Sequence, residues 1–93
     1  MPPPSITRIR NLIRTLRYVV SLHAAEEMED DDITILDLEN LILTGQIVER
    51  HRDQETDETK IVIRGRTLDD RQAEAVVQIG LSGTLYIITV YLA

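Results

Sequence analysis

An α+β fold is predicted for this 93-residue chain, with two to three N-terminal helices packed on one face of a four-stranded antiparallel sheet. Three observations carry the prediction. Apolar residues recur at helical spacing in the first half, side chains alternate in character from Gln46 onward, and the strand segments are joined by short turns. The whole of 1–93 reads as one domain, with residues 1–5 as an extended tail.

Met1-Pro2-Pro3-Pro4 predicts an extended, solvated start, and Ser5 is a good helix N-cap. Ile6, Ile9, Leu12, Ile13 and Leu16 then fall on one helix face, with Arg8, Arg10, Arg14 and Arg17 around the remainder. Those arginines serve either as a solvated face or as a basic stripe toward phosphate or a partner. Arg17 to Val20 is a short extended or transitional piece, and Ser21 caps a brief helix over His23–Met28. Mutual repulsion among Glu29, Asp30, Asp31 and Asp32, unfavourable at a helix C-terminus, should stop it there. Thr34 and Asp37 have capping-box spacing, Leu38, Leu41 and Ile42 form the buried face that follows, and Gly45 is placed to act as a left-handed C-cap.

Strand patterns follow. Ile47–His51 is a short strand, residues 53–58 a polar loop, and Lys60–Thr67 an alternating strand with Ile61 and Ile63 opposite Val62, Arg64 and Arg66. Turns at residues 68–71 and 81–83 separate Gln72–Ile79 from Thr84–Leu92. The last two strands are apolar enough to need helices over one face.

Composition narrows the function classes. Without cysteine there is no disulfide framework, thiolate metal site or cysteine nucleophile. No run is long and apolar enough for a membrane span, and the start lacks the grammar of a signal peptide, so no membrane association and a cytoplasmic location are expected. The small core makes a homodimer a natural aid to stability. The net charge of −6 is uneven: residues 1–17 carry +4, residues 18–58 carry −11 and residues 59–93 carry +1. Phosphate contact depends on cations, so the acidic middle is a poor nucleic-acid surface while the first helix and the sheet are not.

His23 and His51 have no chelating spacing, the Asp30–Asp32 run is a solvated turn, and no phosphate-cradling glycine loop or nucleophile elbow is present. No metal or other cofactor is therefore expected. The residues left suit metal-free phosphate chemistry, in which a 2′-hydroxyl attacks its neighbouring phosphate with the help of a base, an acid and cations. Imidazole suits acid–base work, which points to His23. Lys60, Arg64 and Arg66 could hold phosphate from one face of their strand, and Thr89 shares a face of the last with Tyr91, which could donate a proton or stack on a base. Each also has a plainer account: His23 as a capping residue, the arginines as solubilising charges or ion-pair partners, Tyr91 as half core.

Tyr18-Val19-Val20-Ser21-Leu22-His23-Ala24, Met28, Ile33-Thr34, Asp37-Leu38, Gly45 and Ile47-Val48-Glu49 together resemble the opening of the family of domain of unknown function 4258. Ile63-Arg64-Gly65-Arg66-Thr67, Ala75-Val76-Val77 and Ile87-Ile88-Thr89-Val90-Tyr91 resemble its second half, so the likeness spans about residues 6–92. That family is similar to RelE/ParE-like and MqsR-like toxins. The resemblance implies a metal-independent messenger-RNA endonuclease with an antitoxin protein as partner and RNA as substrate. It gives His23 as the acid–base group, Arg64 and Arg66 as phosphate holders, and Thr89 with Tyr91 as site-lining groups. Two departures weigh against it: Glu27 stands where the pattern has arginine, and Asp69-Asp70 replaces a turn glycine. A non-catalytic interaction or dimerisation domain on the same fold is the alternative.

Overall fold

The computed structural model describes residues 4–93, so most of the expected extended tail lies outside the described residues. The elements are α1 (Ile6–Arg14), β1 (Tyr18–Val20), α2 (Leu22–Asp30), α3 (Ile35–Thr44), β2 (Gln46–Arg52), β3 (Thr59–Arg66), β4 (Gln72–Ile79) and β5 (Leu85–Leu92). The class is α+β. The sheet, however, has five strands in the order β1-β5-β4-β3-β2, and β1 runs parallel to β5. The expectation of four strands, all antiparallel, is corrected at this one edge. Three residues give too little alternation to announce a strand, and a parallel partner has to come from a distant part of the chain.

Each helix begins where a side chain can satisfy its first amides. Ser5 Oγ accepts from Arg8 N at 3.1 Å, Ser21 Oγ from Ala24 N at 3.0 Å, and Thr34 Oγ1 from Asp37 N at 3.1 Å. Thr34 and Asp37 complete the predicted capping box, with Thr34 N donating back to Asp37 Oδ2 at 2.9 Å. Asp37 does more, because its Oδ1 also accepts from Leu68 N in the β3–β4 turn at 2.8 Å. The carboxylate is buried, and these hydrogen bonds, first that of Thr34, hold its pKa below the ordinary aspartate value.

The helix ends differ from expectation. In α1, Arg17 N donates to Leu12 O and Leu16 N to Ile13 O, a Schellman closure whose left-handed position is Leu16 at φ 58°. Leu16 is consequently 73% exposed, and the buried stripe of α1 stops at Ile13. At the end of α2, Ile33 N donates to Met28 O and Asp32 N to Glu29 O, with Asp32 left-handed at φ 52°. Arg71 donates to the carbonyls of Asp31 and Asp32 at 2.6 and 2.9 Å, which offsets the negative end of the helix. Gly45, predicted to be left-handed, is extended at φ −84°. It is glycine for another reason: a Cβ there would strike the Leu41 and Arg64 carbonyl oxygens.

One core joins the layers. Ile9, Leu12 and Ile13 of α1, Ala24 and Met28 of α2, and Leu38, Leu41 and Ile42 of α3 pack against one sheet face. That face supplies Ile61, Ile63, Ala73, Ala75, Val77, Leu85, Ile87 and Val90. Ile61 and Ile63 thus point to the core as the alternation of β3 requires, and the alternate positions of β3, β4 and β5 line the opposite, uncovered face.

Two stability outcomes are expected. Asp37→Ala should cost roughly 2–4 kcal/mol in urea unfolding, because it strands two amides at once. Its contribution is a depressed-pKa effect, so it is fully present above the unfolded aspartate value of 3.8 and is lost as pH falls through the lower folded value. An acid-unfolding limb unchanged by the substitution would contradict this assignment. Leu16→Gly should raise stability by roughly 0.5–1 kcal/mol, since glycine takes the left-handed cap without strain and little buried area is lost. A fall in thermal midpoint would show that Leu16 is not strained there.

Candidate functional site

Sheet register decides which candidate residues share a surface. Arg64 lies opposite Glu74, and Glu74 opposite Tyr91, so the three form a row across β3, β4 and β5 on the uncovered face. Val62, Val76 and Thr89 form the neighbouring row. The structure therefore places Arg64, Thr89 and Tyr91 on one face, the juxtaposition that strand alternation alone leaves open.

Glu74 organises the first row. Its Oε2 accepts from Arg64 Nε at 2.6 Å, and its Oε1 accepts from the Tyr91 hydroxyl at 2.6 Å. The Tyr91 hydrogen bond, and then Arg64, hold the Glu74 carboxyl below the usual range despite its burial. The same hydrogen bond, followed by desolvation, pushes the Tyr91 phenol up to about 12. A phenol so raised holds its proton toward Glu74, which suits a rigid wall better than a proton donor.

Glu27 organises the second cluster. Its Oε1 accepts from the Thr89 hydroxyl and, at 3.0 Å, from Val90 N. His23 Nε2 lies 3.3 Å from the same oxygen, one helical turn back along α2. His23 itself is 69% exposed and stands where α2 borders β5.

The remaining candidates are more peripheral. Arg66 lies two residues beyond Arg64 on the same face; its Nη1 donates to Asp70 O at 3.2 Å, and Nε is 3.8 Å from the Asp70 carboxylate. Arg64 and Arg66 line one shallow depression of about 320 Å³ with Gly45, Gly65, Gln46 and Gln72. Lys60 stands at the other end of β3, beside His51 in register, and lines a separate depression with Arg52, Asp53 and Glu58. The structure brings Arg64 together with Tyr91, and His23 with Thr89. It does not bring Lys60 to either pair. Among the described residues, no three His, Asp or Glu side chains converge as metal ligands would.

Sequence reasoning missed the two organising carboxylates, although both left a trace. Glu27 is four residues from His23, the spacing of a helical side-chain pair. Glu74 is an isolated acid in the otherwise uncharged strand Gln72–Ile79, where a buried carboxylate needs a partner.

The model of the family described as Domain of unknown function (DUF4258) matches residues 20–92. The chain belongs to this family. The matched segment includes His23, Glu27, Arg64, Arg66, Glu74, Thr89 and Tyr91, so both clusters lie within the family's domain. No curated protein and no solved structure matches the chain. No helix among the described residues is long and apolar enough to cross a membrane.

Glu74→Gln should bring the Tyr91 phenol back toward its ordinary value of 10, readable by ultraviolet titration of the tyrosines. In the wild type the raised phenol contributes stability that is complete below pH 10 and is lost as pH rises through about 12. A tyrosine titration that is the same in both proteins would rule out the Glu74–Tyr91 hydrogen bond as its cause.

Proposed function

We propose that this protein is a toxin-like, metal-independent ribonuclease whose site lies on the uncovered sheet face and its β5 border. The observation that carries the reading is that Arg64, Tyr91 and Thr89 lie on adjoining rows of one sheet face, with His23 at its border 3.3 Å from the Glu27 carboxylate that accepts from Thr89. The likeness to RelE/ParE-like and MqsR-like toxins supports it, as does the exposure of Arg64 and Arg66. In this reading His23 Nδ1 takes the proton of a ribose 2′-hydroxyl as O2′ bonds to the adjacent phosphorus. The P–O5′ bond breaks, solvent returns a proton to O5′, and a 2′,3′-cyclic phosphate is left. Arg64 and Arg66 offset the charge on the phosphorane, with geometry set by arginine's paired donors. Tyr91 and Thr89 form the wall. An antitoxin protein would neutralise the activity by covering this face.

A second reading is favoured by a specific observation: Glu27, Glu74 and Asp70 each engage one or more of the candidate groups within the chain itself. Carboxylates placed there repel phosphate and attract a basic partner. A non-catalytic interaction or dimerisation domain on the same fold follows from that arrangement.

Induced expression in a bacterial host separates the two. Growth arrest by the wild type, with normal growth for the folded His23→Ala, Arg66→Ala double variant, is expected. Purified wild-type protein should cleave RNA equally with and without chelator. Intact RNA and normal growth with folded wild-type protein would reject the ribonuclease in favour of the interaction domain.

A further inference from the structure

The border between α2 and β5 holds an arrangement that edge protection alone does not require. Two donors of β5 converge on one oxygen, the Thr89 hydroxyl and the Val90 backbone N–H, both donating to Glu27 Oε1, and His23 Nε2 stands 3.3 Å from the same oxygen. The sheet geometry explains why a donor is available. β1 pairs with β5 only as far as Val20 opposite Ile87, and Ser21 then closes the next groups by donating from its N to Ile87 O and from its Oγ to Ile88 O. Val90 N lies beyond these and has no strand partner on that side. It is satisfied by the side chain of Glu27.

A backbone N–H and a hydroxyl donating to a single anionic oxygen, with an imidazole beside them, make an arrangement of the oxyanion-site kind. Here the anion is supplied by the chain. Glu27 keeps a quarter of its side chain exposed, so the group is partly open to solvent.

We propose that Thr89, Val90 N and His23 form a phosphate-oxygen subsite that Glu27 occupies as an internal substitute, and that a phosphodiester oxygen takes this place when the Glu27 side chain swings out. The subsite deepens the phosphate-chemistry reading above and rests on it. It assigns Glu27 as an autoinhibitory group. A tethered carboxylate competes at a high effective concentration, so free phosphate should displace it poorly. Without the carboxylate the same donors are open to an external anion. Thr89 and Val90 are paired along their other side with Val76 and Ala75 of β4, which holds the donors in place when Glu27 leaves.

The test uses the full chain, uniformly ¹⁵N-labelled, titrated with inorganic phosphate against chloride at matched ionic strength. The Val90 amide resonance of Glu27→Ala should move saturably with phosphate, with an apparent affinity at least about tenfold above that of the wild type, the loss of a competing charge being of that order. Adding Thr89→Val to Glu27→Ala should weaken that response several-fold. Should Glu27→Ala fail to fold, Glu27→Gln, which keeps an acceptor for Val90 N without the charge, should show the same gain in smaller measure. An unmoved Val90 resonance in a folded variant would overturn the proposal, as would a response equal to the wild type's or indifferent to Thr89→Val. Loss of folding in both variants would also overturn it, showing Glu27 to be an edge cap that the fold requires. Phosphate binding at Val90 is read independently of RNA cleavage. A protein that binds phosphate there but leaves RNA intact would retain the subsite and lose the ribonuclease.

Discussion

Asp37 accepts hydrogen bonds from two backbone amides in separate parts of the chain, Thr34 at the head of α3 and Leu68 in the β3–β4 turn. A helix start and a hairpin turn are thereby fastened to one buried carboxylate. Arg71, from the same turn, lies 4.0 Å from Asp37 and reaches on to the carbonyls that end α2. α2, α3 and the β3–β4 hairpin are thus held in one polar junction, at the place where the two halves of the chain meet. Hydrophobic burial supplies the larger driving force, but it is not directional. The junction sets the orientation in which α3 lies on β3 and in which α2 reaches the border of β5. The Glu27 cluster depends on that orientation, whereas strand register sets the Arg64–Glu74–Tyr91 row.

The second constraint is the sheet edge. A strand end with free amides and carbonyls invites pairing with another chain. The fold closes the β5 border in three successive ways, first with the short parallel strand β1, then with Ser21, then with Glu27. The candidate site at that border is therefore made partly from the devices that protect the edge. His23 and Thr89 come together because α2 is needed there to finish the sheet.

Charge acts differently on the two clusters. Glu74 is buried between Arg64 and Tyr91, and its negative charge is largely absorbed by those partners. Glu27 is more exposed and is held by two neutral donors, with the His23 imidazole 3.3 Å away. Only Glu27 can leave its place without stranding a buried ion pair, since opening the Glu74 row would leave a charge uncompensated. The asymmetry makes the β5 border, rather than the central row, the adaptable part of the face.

Local physics made much of the fold legible in the sequence. The stripe through Ile9, Leu12 and Ile13, the Thr34–Asp37 capping box, the opposition of Ile61 and Ile63 to Arg64 and Arg66, and the bounds of β4 all follow from neighbours within a few residues. The left-handed caps were not legible, because Leu16 and Asp32 adopt them under the pull of Schellman hydrogen bonds while Gly45 is reserved for a close backbone crossing. Residue types likewise named His23, Arg64, Arg66, Thr89 and Tyr91 as candidates, but could not say which of them meet. By itself the sequence determined the elements and the face of each strand, since helical and strand periodicities are short-range. Only the tertiary structure decided that β1 joins β5, that Glu74 lies between Arg64 and Tyr91, and that Glu27 reaches Thr89 and Val90. Those contacts join residues from 10 to 67 positions apart, and nothing in a local pattern records them.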